Sequence, residues 1–256
     1  MAELLWKPSE ERIRKTNMYR FMEFVNERFG RQFAEYDALY RWSVQNIPEF
    51  WSSFWDFAGI KASRRHDRVV DDITKMPGAE WFSGARLNFA ENLLRFRDDN
   101  TALIFKGEGR PSRRMTYAEL YDEVAGVAES LKESGVSAGD RVVGFLPNMP
   151  ETIIAMLAAT CIGAVWSSCS PDFGINGVLD RFGQIKPRIL FTADGYAFNG
   201  KRFDSLDRIK RILQEIPSVE KVVVIPYLSP EPDIGGLPHA VRYGDFRSIR
   251  KNSEIE

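Results

Sequence analysis

The chain has 256 residues and a mass of 29.3 kDa, with 44% hydrophobic and 28% charged residues, a globular composition able to bury a core in one or two domains. Thirty-five Lys plus Arg against thirty-six Asp plus Glu leave a net charge of −1, so no global field draws in nucleic acid or anionic lipid. The opening MAELLWKPSEERIRK has no apolar h-region, and the apolar run Ile153 to Ser167 is broken by Thr160 and Gly163 and too short to span a bilayer. The expectation is therefore a soluble, cytosolic protein with neither a nucleic-acid nor a membrane partner.

Five of the six tryptophans, Trp6, Trp42, Trp51, Trp55 and Trp81, fall in the first third of the chain. This third is expected to be helical. Thr16 is an N-cap for a helix that carries Tyr19, Phe21, Met22, Val25 and Phe29 and stops at Gly30. Tyr36 to Asn46 forms a second helix, and a third starts at Pro48 with Phe50, Trp51, Phe54, Trp55 and Phe57 before Gly59. Aromatic residues at helical spacing usually pack as core, and the Lys/Arg-rich flanks of a membrane-surface helix are missing.

From about residue 100 strands and helices alternate. Thr101 to Phe105 is a strand, and the run from Lys106 to Ser112 turns back to Arg113–Met115; its Gly107-Glu-Gly109 lacks the third glycine and the Gly-Lys-Ser/Thr of a phosphate loop, which favours a hairpin turn. Thr116 and Glu119 form a capping box for a helix ending near Gly135. A strand at Arg141–Leu146, a helix from Pro150 to Gly163, a strand at Ala164–Ser168, a helix at Phe173–Ile185 and a strand at Arg188–Thr192 follow. Ala193 to Arg202 reads as a loop, Ser205–Glu215 as a helix, Lys221–Tyr227 as a β-branched strand, and Ser229–Pro238 as a Pro/Gly-rich loop. Residues 249–256 are polar and read as ending without a closing strand. The fold class is α/β: a mostly parallel sheet flanked by helices, with an α-helical, aromatic-rich N-terminal extension. The extension is drawn at 1–95 and the α/β subdomain at 96–256.

Residues that carry chemistry are sparse. His66 and His239 are far apart in polar segments, which gives little support to a nucleophile–His arrangement. Cys161 and Cys169 lie in an apolar stretch and read as buried free thiols. Asp71-Asp72 and Asp98-Asp99 are adjacent pairs that read as solvated turn residues, so no metal ligand and no catalytic residue is assigned. In a parallel sheet, ligands gather beyond the carboxyl ends of the strands. Two segments occupy such places: Ser167 to Gly174, directly before a helix, and the run to Arg202, which ends with two cations beside a glycine. Strand-to-helix connectors are the plainer reading of both.

The ordered strings Gly139-Asp-Arg-Val-Val-Gly-Phe-Leu-Pro-Asn148, Ile162-Gly-Ala-Val-Trp-Ser-Ser168, Ser168-Cys-Ser-Pro-Asp-Phe-Gly-Ile-Asn-Gly-Val-Leu-Asp-Arg-Phe182, Glu80-Trp-Phe-Ser-Gly-Ala-Arg-Leu-Asn-Phe-Ala-Glu-Asn-Leu-Leu94, Tyr40-Arg-Trp-Ser43 and Asn199-Gly-Lys201 resemble the N-terminal part of the adenylate-forming acyl-CoA synthetases. Within that superfamily they are most similar to the acetoacetyl-CoA synthetase family, since acetyl-CoA synthetases carry Gly-Gly-Phe where this chain has Ser170-Pro-Asp-Phe173. The resemblance implies a two-step ligase that uses ATP with Mg²⁺ to convert acetoacetate to an acyl-adenylate and then transfers the acyl group to CoA. It also implies that the family's phosphate loop, adenine contacts, acyl pocket and C-terminal domain belong to a C-terminal remainder of the same polypeptide, because no Thr/Ser-Gly-Thr-Thr-Gly-x-Pro-Lys run occurs in these 256 residues. On this reading the chain alone does not turn over. By the same resemblance Ser170, Asp172 and Phe173, and Asn199, Gly200 and Lys201, match positions that contact the adenine and phosphates of CoA in related enzymes, with Arg202 able to assist. A non-catalytic module that holds CoA or another nucleotide stays open as a second reading. An interaction protein acting through the aromatic helices is a third.

Overall fold

Local sequence signals set most element ends. In the computed structural model, which describes residues 5–248, Thr16 Oγ1 accepts the N–H of Tyr19 at 3.2 Å, and the helix it caps closes at Gly30 in the left-handed conformation (φ 60°). The expected strand-free ending at 249–256 lies outside the described residues. Packing divides the chain into two units, the first running to Leu87 and the second starting at Asn88.

The first unit contains α1 (Glu10–Arg14), α2 (Asn17–Phe29), α3 (Tyr36–Gln45), α4 (Ile47–Phe57) and an antiparallel pair, β1 (Arg68–Val70) and β2 (Trp81–Ser83). Its core is Phe21, Met22, Val25, Leu39 and Trp42, with Phe50 and Phe57 packed against them. Phe21 and Phe57 meet edge-on with ring centroids 5.1 Å apart. The aromatic stripe therefore buries one side of each helix and leaves Trp51 and Phe54 39% and 42% exposed. His66, expected in an exposed segment, is half-buried instead, with Trp55 and Phe82 at 5.0 and 5.1 Å.

The second unit begins with α5 (Phe89–Leu93) and the hairpin β3 (Thr101–Phe105) and β4 (Arg113–Thr116). It starts ahead of the line drawn from sequence at residue 95 because Asn88 caps α5 and donates to the Cys161 carbonyl at 2.8 Å, and Ala90 and Leu94 are buried in the same core. The order continues with α6 (Tyr117–Glu133), β5 (Arg141–Phe145), α7 (Pro150–Cys161), β6 (Val165–Cys169), α8 (Ile175–Ile185), β7 (Ile189–Ala193), β8 (Gly195–Phe198), β9 (Lys201–Asp204), α9 (Leu206–Glu215), β10 (Lys221–Ile225), β11 (Ala240–Arg242) and α10 (Tyr243–Phe246).

Five strands form one parallel sheet in the order β11-β10-β7-β5-β6. The chain starts in β5, steps outward to β6 and then returns across β5 to β7, which places a topological switch between β5 and β7. Thr192 fastens that switch by donating to the Phe145 carbonyl at 3.2 Å. Side chains alternate: Val142, Ile189, Phe191, Val223 and Ile225 pack with Leu120, Val124 and Leu131 of α6 and Ile154 and Leu157 of α7 on one face. Val143, Phe145, Leu190, Val222 and Val224 pack with Val178 and Phe182 of α8 and Ile209 and Ile212 of α9 on the other. Burying each of these large side chains contributes about 1.5–3 kcal/mol, so the double-sided core outweighs any surface pair.

Two further sequence expectations are corrected. Ala193 to Arg202 is not an open loop: β8 and β9 pair antiparallel across Asn199-Gly200, both at positive φ. The helix expected from Phe173 starts at Ile175, since Ser170–Phe173 closes a turn of its own, the Phe173 N–H reaching the Ser170 carbonyl at 3.2 Å. After the Pro/Gly-rich loop, β11 and α10 extend the sheet unit.

Candidate functional site

The hairpin β8–β9 leaves the carboxyl end of β7, the central strand, and this is where cations and glycines gather. Asn199 and Gly200 have φ of 51° and 74°, the primed turn whose twist suits a two-residue hairpin. Their N–H groups point at one carboxylate: Glu108, in the β3–β4 turn, accepts from Asn199 through Oε2 at 2.9 Å and from Gly200 through Oε1. Lys201 and Arg202 follow, both exposed, and neither forms an ion pair among the described residues. Glu108, Gly200, Lys201 and Arg202, with Arg110 and Tyr227, line a cavity of about 410 Å³.

The opposite wall is fixed by Asp194. This buried carboxylate, 5% exposed, accepts the N–H groups of Tyr227 and Leu228 on Oδ1 at 2.7 and 2.8 Å and that of Ser229 on Oδ2 at 2.8 Å. Three donors on one carboxylate hold the loop after β10 rigidly. Arg110 adds a second clamp by donating to the Tyr227 carbonyl, its guanidinium 4.6 Å above the Tyr227 ring. Arg202 also lines a neighbouring cavity of about 550 Å³, with Asp204, Lys210 and Ser229.

The other sequence-derived residues lie elsewhere. Ser170 and Asp172 are exposed in the turn after β6, at the sheet edge, and Phe173 is half-buried under Arg181, whose guanidinium is 4.5 Å above the ring. Arg208 of α9 donates to the Pro171 carbonyl at 2.9 Å and so pins that turn. None of Ser170, Asp172 and Phe173 lines the cavity that Gly200 and Lys201 share. Glu108 and Asp194 carried no site assignment from sequence. The alternating Tyr196, Phe198 and Phe203 around Asn199-Gly200 are a hairpin signal that could have located the turn, whereas nothing local couples it to Glu108, 91 residues away.

Residues 89–242 match the AMP-binding enzyme family and residues 36–93 the N-terminal region of acetyl-coenzyme A synthetase. The chain belongs to the AMP-binding enzyme family. The chain is 43% identical to acetoacetyl-CoA synthetase of Xenopus tropicalis over 98% of its own length and 38% of that protein's. It is 44% identical to acetoacetyl-coenzyme A synthetase of Rhizobium meliloti over 87% of this chain and 34% of the relative. All of the chain superposes on 39% of acetoacetyl-CoA synthetase from Streptomyces lividans with a TM-score of 0.90 at 37% identity. The chain thus spans less than two fifths of these relatives' length.

Lys201 and Arg202 beside paired backbone donors are a donor set for phosphate oxygens. Among the described residues no group of three or more His, Cys, Asp or Glu side chains converges. No helix among the described residues is long and apolar enough to cross a membrane.

Proposed function

We propose that this chain is the N-terminal part of an ATP-dependent acid–thiol ligase that activates acetoacetate as its acyl-adenylate with release of pyrophosphate, then transfers the acyl group to the CoA thiol with release of AMP. The observation that carries this reading is the superposition of the whole chain on 39% of the Streptomyces lividans enzyme, together with the match of residues 36–93 to the N-terminal region of acetyl-coenzyme A synthetase. Acetoacetate is a ketone body, so the reading places the protein in lipid metabolism in the cytosol. The part of the chain in this chemistry is thiol-substrate binding: Lys201, with Arg202, meets phosphate at the carboxyl end of the sheet, and Asn199 and Gly200 supply backbone donors. Ser170, Asp172 and Phe173 would serve the adenine end only if the ligand extended to the sheet edge. ATP and Mg²⁺ would be handled by the C-terminal remainder of the polypeptide.

The test is AMP release by the full-length protein with ATP, Mg²⁺ and CoA, comparing acetoacetate with acetate. A kcat/KM for acetoacetate at least tenfold above that for acetate is expected, and a preference for acetate would sink the reading. The 256-residue chain alone is expected to show no acetoacetate-dependent ATP–pyrophosphate exchange.

A further inference from the structure

In the β8–β9 turn the consecutive N–H groups of Asn199 and Gly200 both point at one carboxylate, as turn backbone donors do at an anion. That anion comes from within the chain. The two Glu108 carboxylate oxygens each serve one donor, Asn199 and Gly200, while Lys201 and Arg202 stand next to it without ionic partners among the described residues. A carboxylate between two backbone donors and two free cations stands in a setting that suits a phosphate monoester, with one oxygen fewer and about half to two-thirds of the charge.

The setting of Glu108 is that of a contact that can open. Glu108, Asn199, Gly200 and Lys201 are all exposed, so water competes for each bond and little desolvation energy locks the pair. Glycine flanks Glu108 on both sides, with Gly109 at φ 67°, which lets the carboxylate swing out without dragging β3 or β4. This gives the Gly107-Glu-Gly109 segment a use, since it lacks the donor set of a phosphate loop.

We propose that Glu108 is a displaceable internal occupant of the phosphate position. It holds the Asn199-Gly200 turn in its binding shape in the free protein and yields both N–H donors, with Lys201, to the phosphate monoester of the thiol substrate. The proposal rests on the reading that this hairpin faces CoA.

Calorimetry on the full-length protein tests it, with CoA and dephospho-CoA as probes, the latter lacking the phosphate monoester. In Glu108→Gln the amide oxygen still serves one donor while its NH₂ opposes the other, so CoA should bind roughly threefold to tenfold tighter with dephospho-CoA unchanged. Glu108→Ala should free Asn199 and Gly200 amides to exchange in the unliganded protein and protect them again with CoA, a readout that does not depend on affinity. Lys201→Ala should weaken CoA severalfold. If Glu108→Gln and Glu108→Ala weaken CoA or leave it unchanged while Lys201→Ala weakens it, Glu108 is a structural latch and the proposal is overturned with the site reading intact. If Lys201→Ala leaves CoA unchanged and dephospho-CoA binds as tightly as CoA, the reading of the hairpin itself falls, and the proposal with it.

Discussion

Asp194, at the end of the central strand, accepts the backbone N–H of Tyr227 at 2.7 Å, and with its bonds to Leu228 and Ser229 it makes the loop after β10 a fixed wall of the cavity. Asp194→Ala would leave these donors without the carboxylate and should cost about 2–4 kcal/mol. Asp194→Asn keeps an acceptor for Tyr227 and Leu228 but sets its NH₂ against the Ser229 N–H, so it should cost about 1 kcal/mol. Denaturant unfolding gives both values. Equal stability of wild type and Asp194→Ala would show that the loop is held by other contacts.

Gly195 joins this strand to the hairpin. A β-carbon there would press on the Phe203 carbonyl oxygen and the Leu228 Cδ1, well inside van der Waals contact. The carbonyl belongs to the paired backbone of β9, so the clash cannot be relieved by a rotamer change. Gly195→Ala should destabilise by about 1–3 kcal/mol, which in a domain of this size lowers Tm by several degrees. Gly200→Ala, with no atom within 4 Å of the added carbon but φ at 74°, should cost about 1 kcal/mol through backbone strain alone. A reversal of this order in thermal melts would contradict the packing described at the β7–β8 junction.

At the opposite, amino-terminal end of the sheet, Asp140 is held below the usual carboxylate range by the Ser137 N–H and then by Arg188, 2.8 Å away. Arg188 also forks onto Glu220 at 3.0 and 2.7 Å. A carboxylate whose folded pKa is depressed adds stability that is fully present above its unfolded value, near 4, and is lost as pH falls through the folded value. Asp140→Asn should therefore cost roughly 1 kcal/mol at pH 7, and the gap between variant and wild type should close below pH 4. A gap of the same size at pH 3 would mean that the charge plays no part.

Cys161 and Cys169 are 4% and 5% exposed, and burial pushes the Cys161 thiol up to about 11 and raises that of Cys169. At pH 8 the reactive thiolate of Cys161 is then a fraction on the order of 10⁻³. Both thiols should resist an aromatic disulfide reagent in the folded protein and react fully in denaturant. Rapid stoichiometric labelling of the native chain would be incompatible with this packing.

Much of the scaffold was legible before the structure because its causes are local. The capping box of Thr116 and Glu119 acts across three residues, with both of its bonds formed in the fold. The apolar periods of α6, α7 and α9 show which sides go inward, and the β-branched run at Lys221–Ile225 needs no distant partner to read as a buried strand. The Asn199-Gly200 hairpin has a local signal in its turn residues and the aromatics around them, but the segment read as a loop, and the pairing of β8 with β9 shows only in the fold.

The strand order and the site were settled by packing alone. Nothing in Arg141–Phe145 or Ile189–Ala193 states that these strands are neighbours with β6 outside them; that follows from which helix covers which face once the chain is compact. Lys201 could be singled out from its neighbours in the chain, but Glu108 and Asp194 take their roles from partners 92 and 33 residues away. Periodicity and capping act within a turn or two of the backbone, whereas a carboxylate finds its donors only after the sheet has brought separate loops to one edge.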